Sequence, residues 1–185
     1  METRRETILL KEFNETIQKW IDYLDDYSLE MLLQKPGSNS WSLGQVYTHI
    51  ADDTAWFVEQ MRAALVTNAD GEKEMHEHAK AMFRNNEFPD TMIEGPATNT
   101  YIKQPESINE VRQRLSTIKA EVNVLYTSFD LSKATGKTMH PGLLFFNALD
   151  WLQFAEMHLR HHFRQKKRID EKLFPAKFGI KYKSL

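Results

Sequence analysis

Apolar residues recur every three or four positions along most of the chain, which is the spacing of one face of an α-helix. No segment alternates apolar and polar residues over a useful length, as a half-buried β-strand would. The pattern predicts an all-α fold, a four-helix bundle, because each amphipathic helix must bury its apolar face against the others. Four stretches carry it: the N-terminal region up to Tyr27, about 24 residues from Ser42, Ser107 to Phe129, and about Gly142 to Leu173.

The second and third predicted helices begin with capping boxes. Ser42 and Gln45 have this spacing, as do Ser107 and Glu110. In such a box the side chain of the first residue accepts a hydrogen bond from the backbone N–H of the other. The side chain of the second residue in turn accepts one from the backbone N–H of the first. Both pairs precede apolar stripes, so the starts of these two helices are well defined by the sequence.

The connection between the second and third helices, Gly71 to Pro105, is long and lacks clear periodicity. Glu72 to Asn85 could form a short helix within it. A connection of this length is typical of a lid, a binding loop or a crossover. As a crossover it would make helix three parallel to helix two, whereas the short break at Gly136 to Pro141 makes helices three and four antiparallel. We therefore expect an up-down-down-up bundle.

The length of 185 residues fits one domain, so we expect residues 1–185 to form a single unit. The 24 basic and 26 acidic residues nearly cancel, which argues against the broad positive field that nonspecific nucleic-acid binding requires. The chain has no cysteine, which excludes disulfides, iron–sulfur clusters, thiolate zinc sites and a thiol nucleophile of its own. Any metal ion must therefore bind histidine, aspartate or glutamate.

Neither the N-terminal region nor the most apolar stretch suggests a membrane. The N-terminal region lacks the apolar run of a signal peptide, and the densest apolar segment, Gly142 to Ala155, is too short and too polar for a transmembrane helix. We expect a cytoplasmic protein with no membrane partner. The frequency of homodimers among soluble oligomers adds the expectation of a homodimer.

The fourth predicted helix contains a cluster of three histidines, His158, His161 and His162. His158 and His162 lie about 40° apart around the helix axis and about 6 Å apart along it, so both can face one metal ion. His161 lies about 60° to the other side of His158, which makes it the second choice as a partner. Two ligands are too few, because a catalytic metal site normally takes three from the protein and leaves one position open.

His49 is the candidate for the third ligand, since its spacing places it on the inward face of helix two. In the up-down-down-up order, aligned helix ends leave it about 9 Å from the level of His158 and His162, against about 16 Å in simple up-down order. A different interpretation is that His49 is a core histidine bonded to a carbonyl. The cluster in helix four would then be a solvated basic face that continues to Arg168.

Asp53 and Glu156 are the carboxylates nearest these histidines in the sequence. Either could act as a general base, and Asp53 could instead orient a ligand imidazole through a hydrogen bond. The favoured interpretation of each, however, is an ordinary exposed carboxylate. His76 and His78 lie among charged residues and are expected to face solvent or to line a lid over the site.

Two blocks of sequence resemble the DinB/YfiT-like family of metal-dependent enzymes. The first is Trp41-Ser42-x-Gly44-Gln45-x-x-x-His49-Ile50, and the second is His158-x-x-His161-His162-x-x-Gln165, preceded by His140-Pro141-Gly142. The second block commonly continues His-His-Arg-Gly-Gln in the family, whereas here Phe163 and Arg164 occupy the middle positions.

The resemblance implies an up-down-down-up bundle in which His49, His158 and His162 bind a divalent ion, zinc or nickel. It also implies an enzyme that acts on a small electrophilic substrate, either as an S-transferase using a low-molecular-weight thiol such as mycothiol or bacillithiol, or as a hydrolase. From the residues alone, three imidazoles suit zinc, nickel, copper or iron. The alternative is a non-catalytic bundle that binds a metal ion or a small ligand.

Overall fold

A computed structural model describes residues 4–89 and 101–178. Four long helices dominate it: α1 (Arg4–Tyr23), α3 (Leu43–Val66), α5 (Ile108–Ser128) and α6 (Ala148–Leu173). The described residues also form the shorter helices α2 (Leu29–Leu33), α4 (Glu77–Asn85) and α7 (Pro175–Phe178), and the strands β1 (Thr138–His140) and β2 (Leu144–Phe146). The predicted all-α four-helix bundle is confirmed. Among the described helices, none combines the length and apolarity needed to cross a membrane.

Contacts along α1 give the directions of its two neighbours. Residues of α1 and α6 meet in the same order along both helices, so these helices are parallel. The pairs are Arg5 with Gln153, Thr16 with Glu156, and Trp20 with Leu159. Along α5 the order is reversed, so α1 and α5 are antiparallel. Here the pairs are Asn14 with Asn123, Gln18 with Lys119, and Asp25, just beyond α1, with Arg112.

Contacts along α3 complete the topology. Asp52 pairs with Arg114 and Arg62 with Glu121, so α3 and α5 are parallel. Across the interface with α6 the order reverses, since the ring of His49 contacts His162 while Trp56 contacts Trp151. The long helices therefore run up, down, down and up, as the long connection predicted.

The start of the last long helix differs from the sequence prediction. We predicted it at about Gly142, but α6 begins at Ala148, after a hairpin in which Thr138 pairs with Phe146 and His140 with Leu144. Asn147 caps α6 through a capping box with Asp150, and Leu144 adopts a positive φ of 66°. Strands of three residues are too short to produce a recognisable alternation, so the sequence pattern did not reveal this hairpin.

The described parts of the connection between α3 and α5 pack against both ends of the bundle. The short helix predicted at Glu72 to Asn85 is α4, which begins five residues later, at Glu77. At the other end, the Gln45 side chain donates a hydrogen bond to the Ile102 carbonyl (2.7 Å), beside the start of α3. A Cβ on Gly44 would lie 2.9 Å from Cδ of Pro105, so only glycine allows this close approach. Residues 90–100 of this connection lie outside the described residues.

Aromatic residues fill the centre of the bundle, and their polar atoms find partners there. Trp20 is fully buried between α3 and α6. Its Nε1 donates to the carbonyl of Leu159, and its own carbonyl accepts a hydrogen bond from the Tyr47 hydroxyl, both at 3.0 Å. These bonds hold α1 against α3 and α6, the two helices that carry the candidate histidines, and so help to set the distance between these two helices.

Candidate metal centre

Helices α3 and α6 bring His49, His158 and His162 together in the interior of the bundle. One nitrogen from each imidazole can be chosen so that all three lie within 4.8 Å of one another. The three side chains are buried, with residue exposures of 5%, 8% and 7%. Among the described residues, this is the group of histidine and carboxylate side chains whose geometry could hold a metal ion.

The spacing of the two α6 histidines matches that of metal ligands. Nε2 of His158 lies 3.2 Å from Nε2 of His162. Two nitrogens bound tetrahedrally to one zinc ion at about 2.0–2.1 Å lie about 3.3 Å apart. The i, i+4 placement on one helix produces this approach without distortion, because such residues are neighbours on its surface.

Burial keeps these imidazoles neutral. It lowers the pKa of His49 to about 4 and that of His162 to about 3, and it holds the pKa of His158 well below the ordinary value. Neighbouring imidazoles lower all three values further. Neutral imidazole is the form that binds metal ions, so the donors are ready near neutral pH.

Two nitrogens of the cluster have no hydrogen bond. They are the buried Nδ1 atoms of His49 and His158. A buried polar atom without a partner costs free energy, and such atoms concentrate at sites that bind something. The chemistry of the three donors therefore fits a divalent ion held by histidines, with Nε2 of His158 as the ligand atom of that ring.

Gln165 orients the third imidazole. Its Oε1 lies 2.8 Å from Nδ1 of His162. Because an amide oxygen can only accept, Nδ1 carries the proton and Nε2 presents its lone pair to the site. Gln165 is in the sequence block that carried the family resemblance, and its position three residues after His162 on one helix is a spacing that could have identified the contact.

Asp53 lies beside the cluster, one turn after His49 on α3. Its Oδ1 is 3.5 Å from Nδ1 of His49, and its Oδ2 is 3.7 Å from Nε2 of His158. Its side chain is 36% exposed, so the carboxylate sits between the buried histidines and solvent. Burial, followed by the charge of Asp52, raises the pKa of Asp53 to about 6. The structure thus brings this predicted carboxylate to the histidines.

Glu156, the other predicted carboxylate, faces a different helix. It accepts hydrogen bonds from Thr16 (2.9 Å) and from Nε of Arg160 (2.9 Å), on the α1 side of α6. Residues two apart on a helix point about 200° apart, so Glu156 turns away when His158 points at α3. The structure therefore does not bring Glu156 to the three histidines, and its carboxylate anchors Arg160 instead.

The remaining histidines lie outside the group of three. His161 contacts the rings of His162 and Phe88 at centroid distances of 5.3 and 5.4 Å. The exposed His76 and His78 stack on each other at 5.0 Å, in and just before α4.

His140 precedes the second sequence block that resembles the family, and the sequence predicts no ligand or catalytic role for it. Burial among aromatic rings, including Phe154 at 5.0 Å, lowers its pKa to about 4. Its Nδ1 accepts a hydrogen bond from the backbone of Gly142, which shapes the turn of the hairpin.

Aromatic side chains surround the three histidines. Trp41, just before α3, contacts His49 at a centroid distance of 5.1 Å. Phe57 of α3 contacts His158 at 5.4 Å, and Phe88, from the segment after α4, contacts it at 6.2 Å. Phe88 could not be recognised from the sequence, because it lies where the apolar pattern is weakest.

A protein-family profile described as the DinB superfamily matches residues 9–165. The chain belongs to the DinB superfamily. The matched range contains all three clustered histidines and ends at Gln165, the residue that orients His162.

A solved structure agrees with the DinB fold. The chain resembles the crystal structure of TT2238, described as a four-helix bundle protein, with a TM-score of 0.59 at 15% identity. The likeness covers 88% of this chain and 98% of that one, and at this identity it supports the fold alone. A search of curated proteins found no match.

The two positions where the chain departs from the DinB motif have structural roles. Phe163 stacks on Trp20 at a centroid distance of 4.9 Å, on the α1 side of α6. The Arg164 side chain donates a hydrogen bond to the carbonyl of Phe88 (3.1 Å). Neither substitution removes a member of the histidine cluster.

Proposed function

We propose that the protein is a metal-dependent enzyme in which His49, His158 and His162 hold one divalent ion, zinc or nickel. The observation that carries this proposal is the convergence of three buried, neutral imidazoles from two helices. The DinB family is associated with metal ions, which supports the same assignment. Three neutral ligands leave the ion its full charge and an open position.

The proposed reaction is transfer of a low-molecular-weight thiol to a small electrophile, or hydrolysis of such a substrate. The ion would supply Lewis acidity, which favours the thiolate or hydroxide form of the nucleophile near neutral pH. Because the chain has no cysteine, a thiol nucleophile must come from the cosubstrate. The aromatic rings of Trp41, Phe57 and Phe88 exclude water, which strengthens electrostatic interactions at the site.

Asp53 is the proposed proton acceptor. Its carboxylate lies within 4 Å of two of the proposed ligands and is partly exposed, so it can take a proton at Oδ2 and release it to solvent. Asp53→Asn should then lower the rate of turnover more than the affinity for metal.

The test begins with elemental analysis of protein purified without added metal. We expect about one divalent ion per chain, and loss of that ion in His49→Ala. A conjugation and hydrolysis screen with several small thiols, with and without a chelator, then looks for turnover. No stoichiometric metal would reject the site. Metal without turnover or an exchangeable ligand would favour the alternative of a non-catalytic binding bundle.

The homodimer and the cytoplasmic location stay separate proposals. The molar mass in solution, measured by light scattering, tests the first. The second is compatible with the absence of cysteine and is tested by cell fractionation.

A further inference from the structure

Phe88 is the only ring contacting the three histidines, within the described residues, that comes from the connection between α4 and α5. Trp41 and Phe57 belong to α3 or its N-terminal flank. Phe57 also packs on Trp151 and Phe154 in the core, so its side of His158 is closed by the bundle itself. Phe88 covers the ring of His158 from outside the four long helices.

Two arginines of α6 hold the segment that carries Phe88. Arg160 donates to the carbonyl of Asn86 (2.6 Å), and Arg164 donates to the carbonyl of Phe88 (3.1 Å). Glu156 in turn fixes Arg160 through hydrogen bonds to Nε and to the guanidinium end. Charged donors to carbonyls make strong, directional bonds, so the backbone at Phe88 has a defined position.

The ring of Phe88 is itself buried. It is 7% exposed and packs on Phe154 at 5.2 Å and on His161 at 5.4 Å, in addition to His158. A ring held by its backbone and packed on three neighbours cannot swing aside without losing buried apolar area. It is a fixed wall of the site.

We infer that Phe88 is a specificity-determining residue. It restricts the open position of the proposed ion to ligands that are unbranched at the carbon next to their donor atom. The inference rests on the proposed metal site and narrows its substrate class. An unbranched thiol, with one carbon and two hydrogens next to sulfur, would fit beside the ring. A thiol with a tertiary carbon next to sulfur would collide with it.

The experiment uses the full chain loaded with cobalt(II), whose thiolate complexes give a sulfur-to-metal absorption band in the near ultraviolet. Titration with 2-mercaptoethanol and with tert-butylthiol compares an unbranched and a branched aliphatic thiol. Wild type should bind the unbranched thiol at least about tenfold more tightly, and Phe88→Ala should reduce that preference by about tenfold. Phe88→Leu should give an intermediate value and guards against a folding defect in the alanine variant.

Phe83→Ala is the matched control. Phe83 also packs on Phe154, at 6.3 Å, and lies on the adjoining α4, but its ring contacts none of the three histidines. Its substitution should leave the thiol preference unchanged. The same preference in folded Phe88 variants as in wild type, or no thiol band in any cobalt-loaded protein, would overturn the inference. Failure of wild type to take up cobalt would instead reject the metal site.

Discussion

The Nε2 atoms of His158 and His162 lie 3.2 Å apart in the interior of the bundle. Nearby neutral imidazoles can share one proton across this distance, but two protonated rings would repel each other strongly in a buried site. A bound cation would stabilise this close approach by accepting one lone pair from each ring. The same two imidazoles should therefore determine both the affinity for the proposed metal ion and the loss of stability at low pH.

Removing one member of the pair should abolish tight metal binding. His158→Ala or His162→Ala should each weaken zinc binding by more than about 100-fold, beyond the loss expected for an outer-shell partner. His161→Ala is the matched control, since His161 lies next to His162 in sequence but outside the group of three. Competition with a chromophoric chelator measures the affinities. Equal losses in all three variants would contradict the assignment.

The metal-free protein should lose stability as the pH falls from about 6.5. Burial lowers the folded-state pKa of His49 to about 4 and of His162 to about 3, so the unfolded chain binds protons first. Stability is therefore complete above about pH 6.5, and each histidine removes up to about 1.4 kcal/mol per pH unit below it. Asp53, with a raised folded pKa of about 6, acts in the opposite sense and offsets part of the loss.

Urea unfolding in the presence of a chelator, at several values between pH 7.5 and 5, measures this dependence. His162→Gln, which has no titrating group at this position, should show a shallower slope than wild type. A free energy of unfolding that stays constant over this range would show that these histidines are not held neutral in the folded protein.

Gln165 should control the affinity of His162 for metal. Gln165→Ala removes the acceptor at Nδ1 and should weaken zinc binding by about 10- to 100-fold. Gln165→Glu keeps an acceptor there and should restore most of the affinity. NMR of the imidazole nitrogens provides a second readout, since the Nδ1-protonated form of His162 should dominate in wild type and lose its preference in the alanine variant. An unchanged tautomer would refute this role.

Gly44→Ala should destabilise the protein by about 1–3 kcal/mol. The added Cβ would lie 2.9 Å from Cδ of Pro105 and 3.0 Å from the carbonyl oxygen of Leu32, so the backbone on two sides must move. Gly142→Ala is the control, because a Cβ there would meet nothing within 4 Å. The free energies of unfolding of the two variants give the comparison, and equal values would mean that the contact at Gly44 is not tight in solution.

Two buried threonines should respond to the same substitution with opposite signs. Thr54 is fully buried and its hydroxyl has no hydrogen bond, so Thr54→Val should stabilise the protein by about 1 kcal/mol. Thr16 donates to Glu156 at 2.9 Å, so Thr16→Val should destabilise it by about 1–3 kcal/mol. Thermal unfolding of both variants tests the pair. Destabilisation by Thr54→Val would reveal a partner for its hydroxyl.

The parts of the fold that follow local rules could be predicted. The capping box at Ser42 and the N-cap at Ser107 placed the starts of α3 and α5 to within a residue, although the Glu110 side chain bonds the backbone of Glu106 and so does not complete the predicted second box. The long connection implied that these helices are parallel. The start of α6 depends instead on Asn147 and Asp150, a capping pair of less common residue types. The hairpin before it is held by backbone pairing between two strands whose sequences show no recognisable strand pattern.

The same distinction between local and long-range contacts applies to the candidate site. His49 and Asp53 share a face because they are four residues apart, and the structure places them side by side. Glu156 is close to His158 in sequence, but residues two apart on a helix point in nearly opposite directions, so its carboxylate faces α1. Phe88 could not be found, since its contact with His158 joins segments whose relative position depends on the complete fold. The pair of His162 and Gln165 is local, because the two residues lie three apart on one helix, so the spacing could have revealed it.

Helix α6 packs against α1 on one side and α3 on the other, with Glu156 and Phe163 on the first face and His158 and His162 on the second. One side of this helix therefore holds the bundle together, while the other carries the proposed metal ligands. Residues opposite α3 could thus be exchanged, and the proposed site altered, while the packing toward α1 stays intact.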